Sequence, residues 1–371
     1  MSNTNHHSTW VEVDLGIIEN NLSYFQKISQ AALMAIVKAN AYGHGAVPVA
    51  QAALEAGTAW LGVARHNEAL ELRRAGIDAP VLLLGYTPTE QLEDMICQGV
   101  SLTVWSEEQI VQAATAARRS GSTARLHLKV DSGMSRLGTV PEGALHLAQQ
   151  IASAPETQFE GLFTHFARAD ESDRSTTDQQ QTIFQKVVRE LETHDLRPPW
   201  VHCANSAASL TRPSAHYDLI RVGIAMYGLH PSKECPNPVQ ILPALSWKSV
   251  LSQVKRVPPG SGISYGHIYR TQGEERIGTV PVGYADGYRR TSGNQVLVGG
   301  VQVPVVGRVC MDQLMVQLDR VPQARVGDEV VLIGAQGQAR LPAEGVADRW
   351  GTINYEVVSG IGARVPRLYI R

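Results

Sequence analysis

The sequence predicts an α/β protein composed of an N-terminal (β/α)8 barrel and a smaller, mostly antiparallel β domain. Two patterns support this fold class. Short apolar runs alternate with helical segments over the first part of the chain, and after Pro236 the pattern changes to Val-rich runs interrupted by Gly and Pro. With 371 residues, 43% of them hydrophobic, the chain is long enough to bury a large core in each domain. We therefore assign residues 10–236 to the barrel and residues 237–371 to the β domain.

The first domain contains a series of apolar runs that predict parallel strands, at Met34–Val37, Trp60–Ala64, Val81–Leu84, Leu102–Trp105, Leu126–Val130, Phe159–Thr164, Trp200–Cys203 and Leu219–Ile224. Apolar residues recur every three or four positions between these runs, which predicts helices at Val47–Ala56, Asn67–Ala75, Glu107–Ala117 and Gln180–Glu192. Asp14 is a suitable N-cap for a further helix from Leu15 to about Ser29. Eight strands that alternate with helices favour a TIM-like barrel.

An open, doubly wound sheet is the alternative, and the sequence disfavours it. No Gly-rich dinucleotide fingerprint follows the first predicted strand. Polar residues instead stand at the ends of the predicted strands, where barrel enzymes place their active sites. They are Lys38, Arg65, Lys129 with Asp131, His165, Asn205 with Ser206, and Arg221. We expect these side chains to lie at one end of the barrel.

The second domain is predicted from short Val-rich runs at Ile277–Val282, Val296–Val298, Val301–Val306, Val309–Leu318 and Glu329–Ile333, with a last strand near Val365–Ile370. Gly299 and Gly300 separate two of these runs and predict a tight β-hairpin.

Composition excludes several classes of function. The chain has 33 Lys and Arg against 35 Asp and Glu, a net charge of −2, and no basic run, so neither nucleic acid nor an anionic membrane is an expected partner. Its four cysteines are scattered, which favours reduced thiols over disulfides or a metal site: Cys97, Cys203, Cys235 and Cys310. The segment Met1–Thr9 lacks the apolar core of a signal peptide, and no apolar run reaches the roughly 20 residues of a membrane helix. We expect a soluble, cytoplasmic protein without a metal ion.

The segment from Ile36 to Gly45, IVKANAYGHG, carries a lysine directly after a buried strand. Lys38 has two interpretations. Its amine reaches solvent at the strand end, or it forms a Schiff base with a carbonyl compound, helped by a lowered pKa. Placement alone leaves both open.

This segment resembles the pyridoxal-phosphate site of alanine racemases, in which the lysine binds the cofactor aldehyde. Further motifs of that family recur in order along almost the whole chain. They are HLKVDSGMSRLG at 127–138, THF at 164–166, NSA at 205–207, RVGIAMYG at 221–228, SYG at 264–266, VGYADGY at 282–288, GRVCMD at 307–312 and NYE at 354–356. So many matches at family-like spacing are specific, although a single one would not be.

The resemblance implies the cofactor pyridoxal 5′-phosphate, held by Lys38, Tyr42, His165, Ser206, Arg221, Gly223, Ile224 and Tyr355. Taken alone, Ser206 equally suits a helix N-cap, and the two tyrosines equally suit packing. In the family the arginine at position 221 donates to the pyridine nitrogen. A guanidinium stays protonated, so the ring is a weaker electron sink, which favours racemisation over transamination.

The resemblance also implies the reaction. L-alanine and D-alanine are interconverted through an external aldimine with pyridoxal phosphate, and Lys38 and Tyr265 exchange a proton on opposite faces of Cα. Tyr265 must then lose its proton below the ordinary tyrosine pKa of about 10. In the family this tyrosine reaches the site from a partner subunit, which implies a homodimer with shared sites.

The resemblance also implies supporting roles for five other residues. Arg136 contacts the substrate carboxylate or the cofactor phenolate, and the backbone of Met311 touches the substrate carboxylate. Lys129 can carry a carbamate that orients the arginine, Asp312 positions the partner-side base, and Tyr284 narrows the substrate entrance.

Three alternatives remain at this point. A racemase of serine would use the same chemistry, because a pocket rejects one added hydroxyl by shape only about 100-fold. A non-catalytic pyridoxal-phosphate carrier would lack the β domain that follows Pro236, and with it Tyr265. A decarboxylase of similar architecture would need an interface cysteine, for which Cys310 is an imperfect candidate. D-alanine biosynthesis and alanine catabolism use one reaction, so the direction in the cell stays open.

Overall fold

The structure, a computed structural model, describes residues 7–371. The sequence predicted that Met1–Thr9 is not a signal peptide, and residues 1–6 of that segment lie outside the described range. The chain forms two compact units. The barrel unit is Gly16–Pro243, and the sheet unit is Ala244–Arg371 together with the described residues up to Leu15.

The strands are β1 (Thr9–Asp14), β2 (Ala32–Ile36), β3 (Trp60–Val63), β4 (Val81–Leu83), β5 (Val100–Val104), β6 (Ala124–Lys129), β7 (Thr157–Phe163), β8 (Trp200–His202), β9 (Leu219–Val222), β10 (Leu245–Val250), β11 (Gln253–Val257), β12 (Gly262–Ile263), β13 (Tyr269–Arg270), β14 (Glu275–Val280), β15 (Gln295–Val298), β16 (Val301–Val306), β17 (Leu314–Gln317), β18 (Glu329–Gln336), β19 (Ala339–Leu341) and β20 (Arg367–Ile370). The helices are α1 (Leu15–Ile28), α2 (Lys38–Tyr42), α3 (Ala46–Glu55), α4 (His66–Arg74), α5 (Thr89–Cys97), α6 (Glu107–Ser120), α7 (Ala144–Ser153), α8 (Ser175–Thr193), α9 (Ser206–Thr211), α10 (Ala343–Trp350) and α11 (Asn354–Ser359).

Strands β2 to β9 form one parallel sheet of eight strands, in the order β8-β7-β6-β5-β4-β3-β2-β9. The two end strands are joined by backbone hydrogen bonds from Asp218 N–H to Val201 O (3.1 Å) and from Arg221 N–H to Ala204 O (3.0 Å), which close the barrel. Every residue of β3, β4 and β5 is buried, as expected for parallel strands covered on both faces. Each of the eight predicted strands overlaps one of these strands, so the predicted TIM-like barrel is confirmed.

The sheet unit contains a sheet of ten strands, along β11-β14-β17-β16-β15-β18-β10-β1-β20 with β19 beside β18. Its neighbours are antiparallel except for β1 and β20, which are parallel. Val298 pairs with Val301 across the predicted hairpin, whose Gly299 and Gly300 have φ of +57° and +77°. The mostly antiparallel second domain is therefore confirmed.

The structure differs from the sequence analysis at the N-terminus. Residues 9–14 form β1, which pairs with β10 and β20 in the sheet unit, whereas the sequence assigned residue 10 onward to the barrel domain. Asp14 directly precedes α1, which begins at Leu15 as predicted. Junction residues 237–243 belong to the barrel unit. The pairing partners of β1 lie more than 230 positions away, at Leu245–Ser249 and Arg367–Ile370, so no local pattern reveals them. Among the described residues, no helix combines the length and the apolar character needed to cross a membrane.

Candidate active site

Lys38 opens a turn of unusual handedness at the end of β2. Residues Ala39 to Tyr42 all have φ between +51° and +53°, so α2 is a single left-handed turn. Each non-glycine residue in this conformation costs about 1–2 kcal/mol, and such strain persists only where surrounding contacts hold it. Gly43 N–H donates to Ala39 O (3.0 Å), and Ala46 N–H donates to the Asn40 side-chain oxygen (2.8 Å).

Glu68 anchors this turn to the end of β3. Its carboxylate accepts hydrogen bonds from the backbone N–H groups of Ala39 (2.7 Å), Ala64 (2.7 Å) and Arg65 (3.1 Å). The bond to Ala39 lies next to Lys38 in the chain, so Glu68 restrains the backbone that carries the lysine. The sequence analysis did not identify Glu68 as a site residue.

Aromatic rings support the other side of the turn. The Tyr227 hydroxyl donates to the backbone oxygen of Ile36 (2.9 Å), just before Lys38. The rings of Tyr42 and His44 lie against the Tyr227 ring at 5.1 Å and 4.4 Å between centroids. These contacts bury the Tyr42 hydroxyl near the end of β9.

The surroundings of Lys38 favour its neutral amine. Burial lowers the pKa of Lys38, the positive charges of Arg136 and Arg221 lower it further, and Glu68 opposes them. A neutral amine is the form that attacks a carbonyl. A lowered pKa agrees with the Schiff-base interpretation of Lys38, which stays a prediction.

Ser206, Gly223 and Tyr42 come together beside this turn. The Ser206 hydroxyl accepts hydrogen bonds from Gly223 N–H (2.9 Å) and Ala225 N–H (3.4 Å). A Cβ atom at Gly223 would lie 2.8 Å from the Tyr42 hydroxyl oxygen, so only glycine allows this approach. The N-cap of α9 is Asn205, whose side chain accepts from Ala208 N–H (3.0 Å), which leaves Ser206 to this cluster. Hydroxyls and backbone N–H groups around a glycine suit a phosphate group.

Arg221 lies on β9 with its side chain buried in the barrel. One terminal nitrogen donates to His202 Nδ1 (2.9 Å), and the other lies within bonding distance of Thr164 O, Cys203 O and His165 Nδ1, at 2.9–3.2 Å. The Nε–H has no partner among residues 7–371 and can donate to a ligand atom. Burial lowers the pKa of Arg221 to about 10, so the guanidinium stays charged at neutral pH.

Lys129 and Arg136 bring two more cationic side chains to the same end of the barrel. The Lys129 amine is buried 4.5 Å from the centre of the Phe163 ring. Burial and the charges of Arg221 and Arg136 lower its pKa to about 7. Arg136 is exposed and follows a loop shaped by Asp131, whose side chain accepts from Gly133, Met134 and Ser135 N–H.

His165 is a neutral imidazole at this site. Burial and the charge of Arg221 hold the pKa of His165 well below its ordinary value. Because the Arg221 guanidinium can only donate, His165 Nδ1 accepts, and its proton is on Nε2.

The sheet unit presents a second group of predicted site residues. Tyr265 is 68% exposed in the turn between β12 and β13, where Ser264 has φ of +61° and its hydroxyl donates to Arg308 O (2.6 Å). Tyr265 and Tyr284 line one cavity of about 470 Å³. The backbone of Tyr284 is joined to the segment carrying Met311 by Tyr284 N–H to Cys310 O (3.0 Å).

Asp312 and Tyr355 are two further predicted site residues in the sheet unit. Asp312 pairs with Arg364 (2.7 Å), which also contacts Asp286 (2.6 Å). Tyr355 is half-buried on α11. Their predicted roles, beside Tyr265 and at the phosphate, stay predictions.

The barrel unit thus brings together Lys38, Tyr42, Lys129, His165, Ser206, Arg221 and Gly223, and the sheet unit brings together Tyr265, Tyr284 and Met311. The sequence analysis missed Glu68 and three buried polar residues behind Arg221, namely His127, Glu160 and His202. A signal existed for these three, because each is a polar residue inside an otherwise apolar predicted strand. No cluster of His, Cys, Asp and Glu suited to a metal ion occurs in residues 7–371.

Comparisons with known proteins identify related chains. Residues 13–231 match the model of the alanine racemase N-terminal domain, and residues 244–369 match that of the alanine racemase C-terminal domain. An alanine racemase of Desulfovibrio desulfuricans is 45% identical over 97% of this chain and 98% of its own length. One of Symbiobacterium thermophilum is 47% identical over 97% of each chain. The crystal structure of a Bacillus anthracis alanine racemase with bound L-Ala-P has a TM-score of 0.93 and 43% identity over 99% of this chain and 96% of its own.

Proposed function

The chain belongs to the alanine racemase family, and from this premise we propose that it interconverts L-alanine and D-alanine with bound pyridoxal phosphate, using Lys38 and Tyr265 to move the α-proton. The observation that carries this proposal is Lys38 itself. A lysine with a lowered pKa stands on a strained turn beside a buried arginine and a hydroxyl cluster. The family membership makes the protein an isomerase, and the residue roles are our proposal.

The residues of the barrel unit fit pyridoxal phosphate. Tyr42, Ser206 and the backbone at Gly223 and Ile224 would hold its phosphate, because the glycine leaves room where a Cβ would strike the Tyr42 hydroxyl. We propose that Tyr355 completes this site. When bound, the cofactor draws electrons from the α-carbon of the amino acid and makes its hydrogen acidic.

Arg221 determines which reaction follows. The free Nε–H can donate to the cofactor's ring nitrogen, and the guanidinium, with a pKa of about 10, hardly gives up its proton at neutral pH. A ring nitrogen that stays unprotonated withdraws electrons less strongly. The bound cofactor would then favour return of a proton to the α-carbon, and so racemisation over transamination. We propose that His165 packs against the ring as a neutral imidazole.

Racemisation requires one group to remove the α-proton and another to return a proton from the opposite face. Lys38, once released as a free amine, is one such group. We propose Tyr265 as the other, with Arg136 and the Met311 backbone binding the substrate carboxylate, Tyr284 narrowing the entrance and Asp312 supporting Tyr265. These assignments rest on the match of each residue to the family motifs.

We further propose that the enzyme is a homodimer whose sites are shared between subunits. Tyr265, Met311 and Tyr284 are large side chains that are 68%, 53% and 45% exposed on the sheet unit. A second subunit that covers them would bury this surface and bring Tyr265 to the cofactor of its neighbour. All four cysteines are free, which agrees with a reducing, cytoplasmic location for this dimer.

The proposed reaction has a direct test. The purified enzyme is incubated with pyridoxal phosphate and L-alanine in D₂O, and optical rotation and α-deuterium are followed together. We expect rotation to fall to zero while deuterium enters the α-position, and L-serine to react more slowly by up to about 100-fold. If the enzyme binds the cofactor but neither quantity changes, the proposed reaction is wrong.

We also propose that Lys129 is carbamylated. At a pKa of about 7, about half of the amine is neutral at neutral pH. The neutral nitrogen attacks the carbon of CO₂, a C–N bond forms, and one N–H proton leaves to solvent. The resulting anion faces Arg221 and Arg136, whose charges lower the pKa of Lys129 and would stabilise a negative group there.

Carbon-13 NMR tests this modification. The enzyme equilibrated with ¹³C-bicarbonate should show one carbamate resonance that is lost in Lys129→Met and kept in Lys186→Met, a matched change of an exposed lysine on α8. A spectrum without a carbamate resonance, or a resonance that survives Lys129→Met, would contradict the proposal.

A further inference from the structure

A row of buried polar side chains runs behind Arg221 across five strands of the barrel. Its members are Arg221 on β9, His202 on β8, His127 on β6, Glu160 on β7 and Ser101 on β5. Arg221 lies 2.9 Å from His202 Nδ1, His202 Nε2 lies 3.0 Å from His127 Nδ1, and His127 Nε2 lies 3.2 Å from Glu160 Oε2. The Ser101 hydroxyl donates to the same Glu160 oxygen. We call Arg221, His202, His127 and Glu160 the relay.

The hydrogen bonds of the relay have one direction. A guanidinium only donates, so His202 Nδ1 is the acceptor and the proton of a neutral His202 is on Nε2. His202 therefore donates to His127 Nδ1, and the proton of His127 is on Nε2, facing Glu160. Burial lowers the pKa of both histidines and outweighs Glu160, which raises the pKa of His127, and the Arg221 charge lowers both pKa values further. Both imidazoles are therefore neutral at neutral pH.

The carboxylate at the end of the relay is charged. Burial alone would raise the pKa of Glu160, but the hydrogen bonds from His127 and Ser101 outweigh it, and the pKa lies below its ordinary value. The relay thus links a buried cation to a buried anion through two neutral imidazoles. An anionic acceptor polarises the hydrogen bonds that lead to it and strengthens each of them.

Packing leaves the imidazoles little freedom. The His202 ring is stacked on the Phe163 ring at 4.8 Å and 8°. His127 occupies the space beside Gly161, where an added Cβ would lie 2.1 Å from His127 Nδ1. The ring of Trp60 closes the other side of His127 at 5.4 Å. Only the hydrogen-bond pattern, rather than ring position, is free to respond to a change at Glu160.

We propose that Glu160 is a positioning residue of this enzyme: by accepting from His127, its carboxylate keeps His127 and His202 in the tautomers that leave His202 Nδ1 as a fixed acceptor for Arg221, and so orients the guanidinium toward the cofactor's ring nitrogen. The inference rests on the proposed function for the role of Arg221. Glu160 itself touches neither substrate nor cofactor in this scheme. Its removal should change the electronic state of the ring nitrogen more than the binding of alanine.

NMR of the full-length wild-type protein tests whether the relay exists. With ¹⁵N-labelled histidine, we expect His127 and His202 to carry their protons on Nε2, and we expect a scalar coupling between His202 Nε2 and His127 Nδ1 through the shared hydrogen bond. This measurement needs no variant and applies with or without bound pyridoxal phosphate. Nδ1 protons on either histidine, or no such coupling, would overturn the proposal.

Variants test the effect on the site. In enzyme loaded with ring-¹⁵N pyridoxal phosphate, Glu160→Leu should move the ring-nitrogen resonance and lower kcat about 10-fold with little change in KM. Glu160→Gln keeps an oxygen acceptor and should restore most of both properties. Glu156→Leu, which changes a glutamate paired with Arg118 outside the relay, is the matched control.

The outcomes separate the two proposals. A protein that binds no pyridoxal phosphate contradicts the proposed function, and the relay is then still read from the histidine coupling. A loaded Glu160→Leu enzyme with unchanged ring-nitrogen resonance and kcat overturns the positioning role. If Glu160→Leu does not fold, Glu160→Gln decides. A ring-nitrogen resonance and a kcat close to those of wild type support the positioning role, and loss of both in a folded, loaded enzyme overturns it.

Discussion

Replacement of Lys38 by Ala should lower the rate of alanine racemisation by at least about 1,000-fold, because it removes both a covalent anchor and one of two proton-transferring groups. The residues proposed to hold the phosphate, Tyr42, Ser206 and Gly223, are unchanged in this variant, so pyridoxal phosphate should still bind, but without a covalent bond. Borohydride should therefore fix the cofactor to wild-type enzyme and leave the Lys38→Ala enzyme unlabelled. Peptide mass spectrometry of the reduced proteins measures this directly.

The matched control is Lys27→Ala, which removes an exposed lysine from the last turn of α1 and should keep full labelling and full activity. Added methylamine should restore part of the activity of Lys38→Ala, since a small amine can enter the space left by the side chain. Labelling of Lys38→Ala at another lysine, with activity retained, would remove Lys38 from its proposed role.

Tyr265→Phe should have the second largest effect, a loss of about 100-fold or more in racemisation in both directions. The phenolic proton is lost while the ring remains, so cofactor binding should not change. Lys38 would then be the only proton-transferring group, and it reaches one face of the α-carbon. We expect one enantiomer of alanine to exchange its α-hydrogen for deuterium without racemising, and the other enantiomer to exchange far more slowly.

Each pure enantiomer incubated in D₂O with the Tyr265→Phe enzyme gives the answer by mass spectrometry. Tyr24→Phe on α1 is the control and should behave like wild type in both directions. Equal deuterium uptake from both enantiomers, or a wild-type rate, would show that the returning proton does not come from Tyr265.

Mixing of inactive Lys38→Ala and Tyr265→Phe subunits should restore activity if sites are shared between subunits. One site of a mixed dimer then contains both an intact Lys38 and an intact Tyr265.

The secondary structure of the barrel was predictable because its signals are local. Runs such as Val81–Leu84 and Leu126–Val130 are apolar throughout, as strands covered on both faces must be, and their spacing leaves room for one helix each. The hairpin at Gly299 and Gly300 was predictable for the same reason, since two successive positive φ values strongly favour glycine.

The positions of several predicted site residues at strand ends were predictable from the sequence. Lys38, Ser206 and Arg221 stand at strand ends, and their chemistry limits the choice of residue at each. The left-handed turn after Lys38 was not predictable, because Ala39, Asn40 and Ala41 have no intrinsic preference strong enough to impose it. It is held at its start by residues distant in sequence, because Glu68 accepts from Ala39 N–H and the Tyr227 hydroxyl donates to Ile36 O.

Composition, periodicity and motif order thus determined the fold class, the family and the residues that we predict to meet the cofactor, since each is encoded within a few neighbouring positions. Tertiary structure alone decided the placement of β1 in the sheet unit, the lowered pKa of Lys38 and Lys129, and the direction of the relay. Strand partners, desolvation and hydrogen-bond direction depend on atoms brought together from distant parts of the chain. The role of a charged residue within an apolar strand, such as Glu160, can be recognised only in the folded barrel, where its partners from other strands surround it.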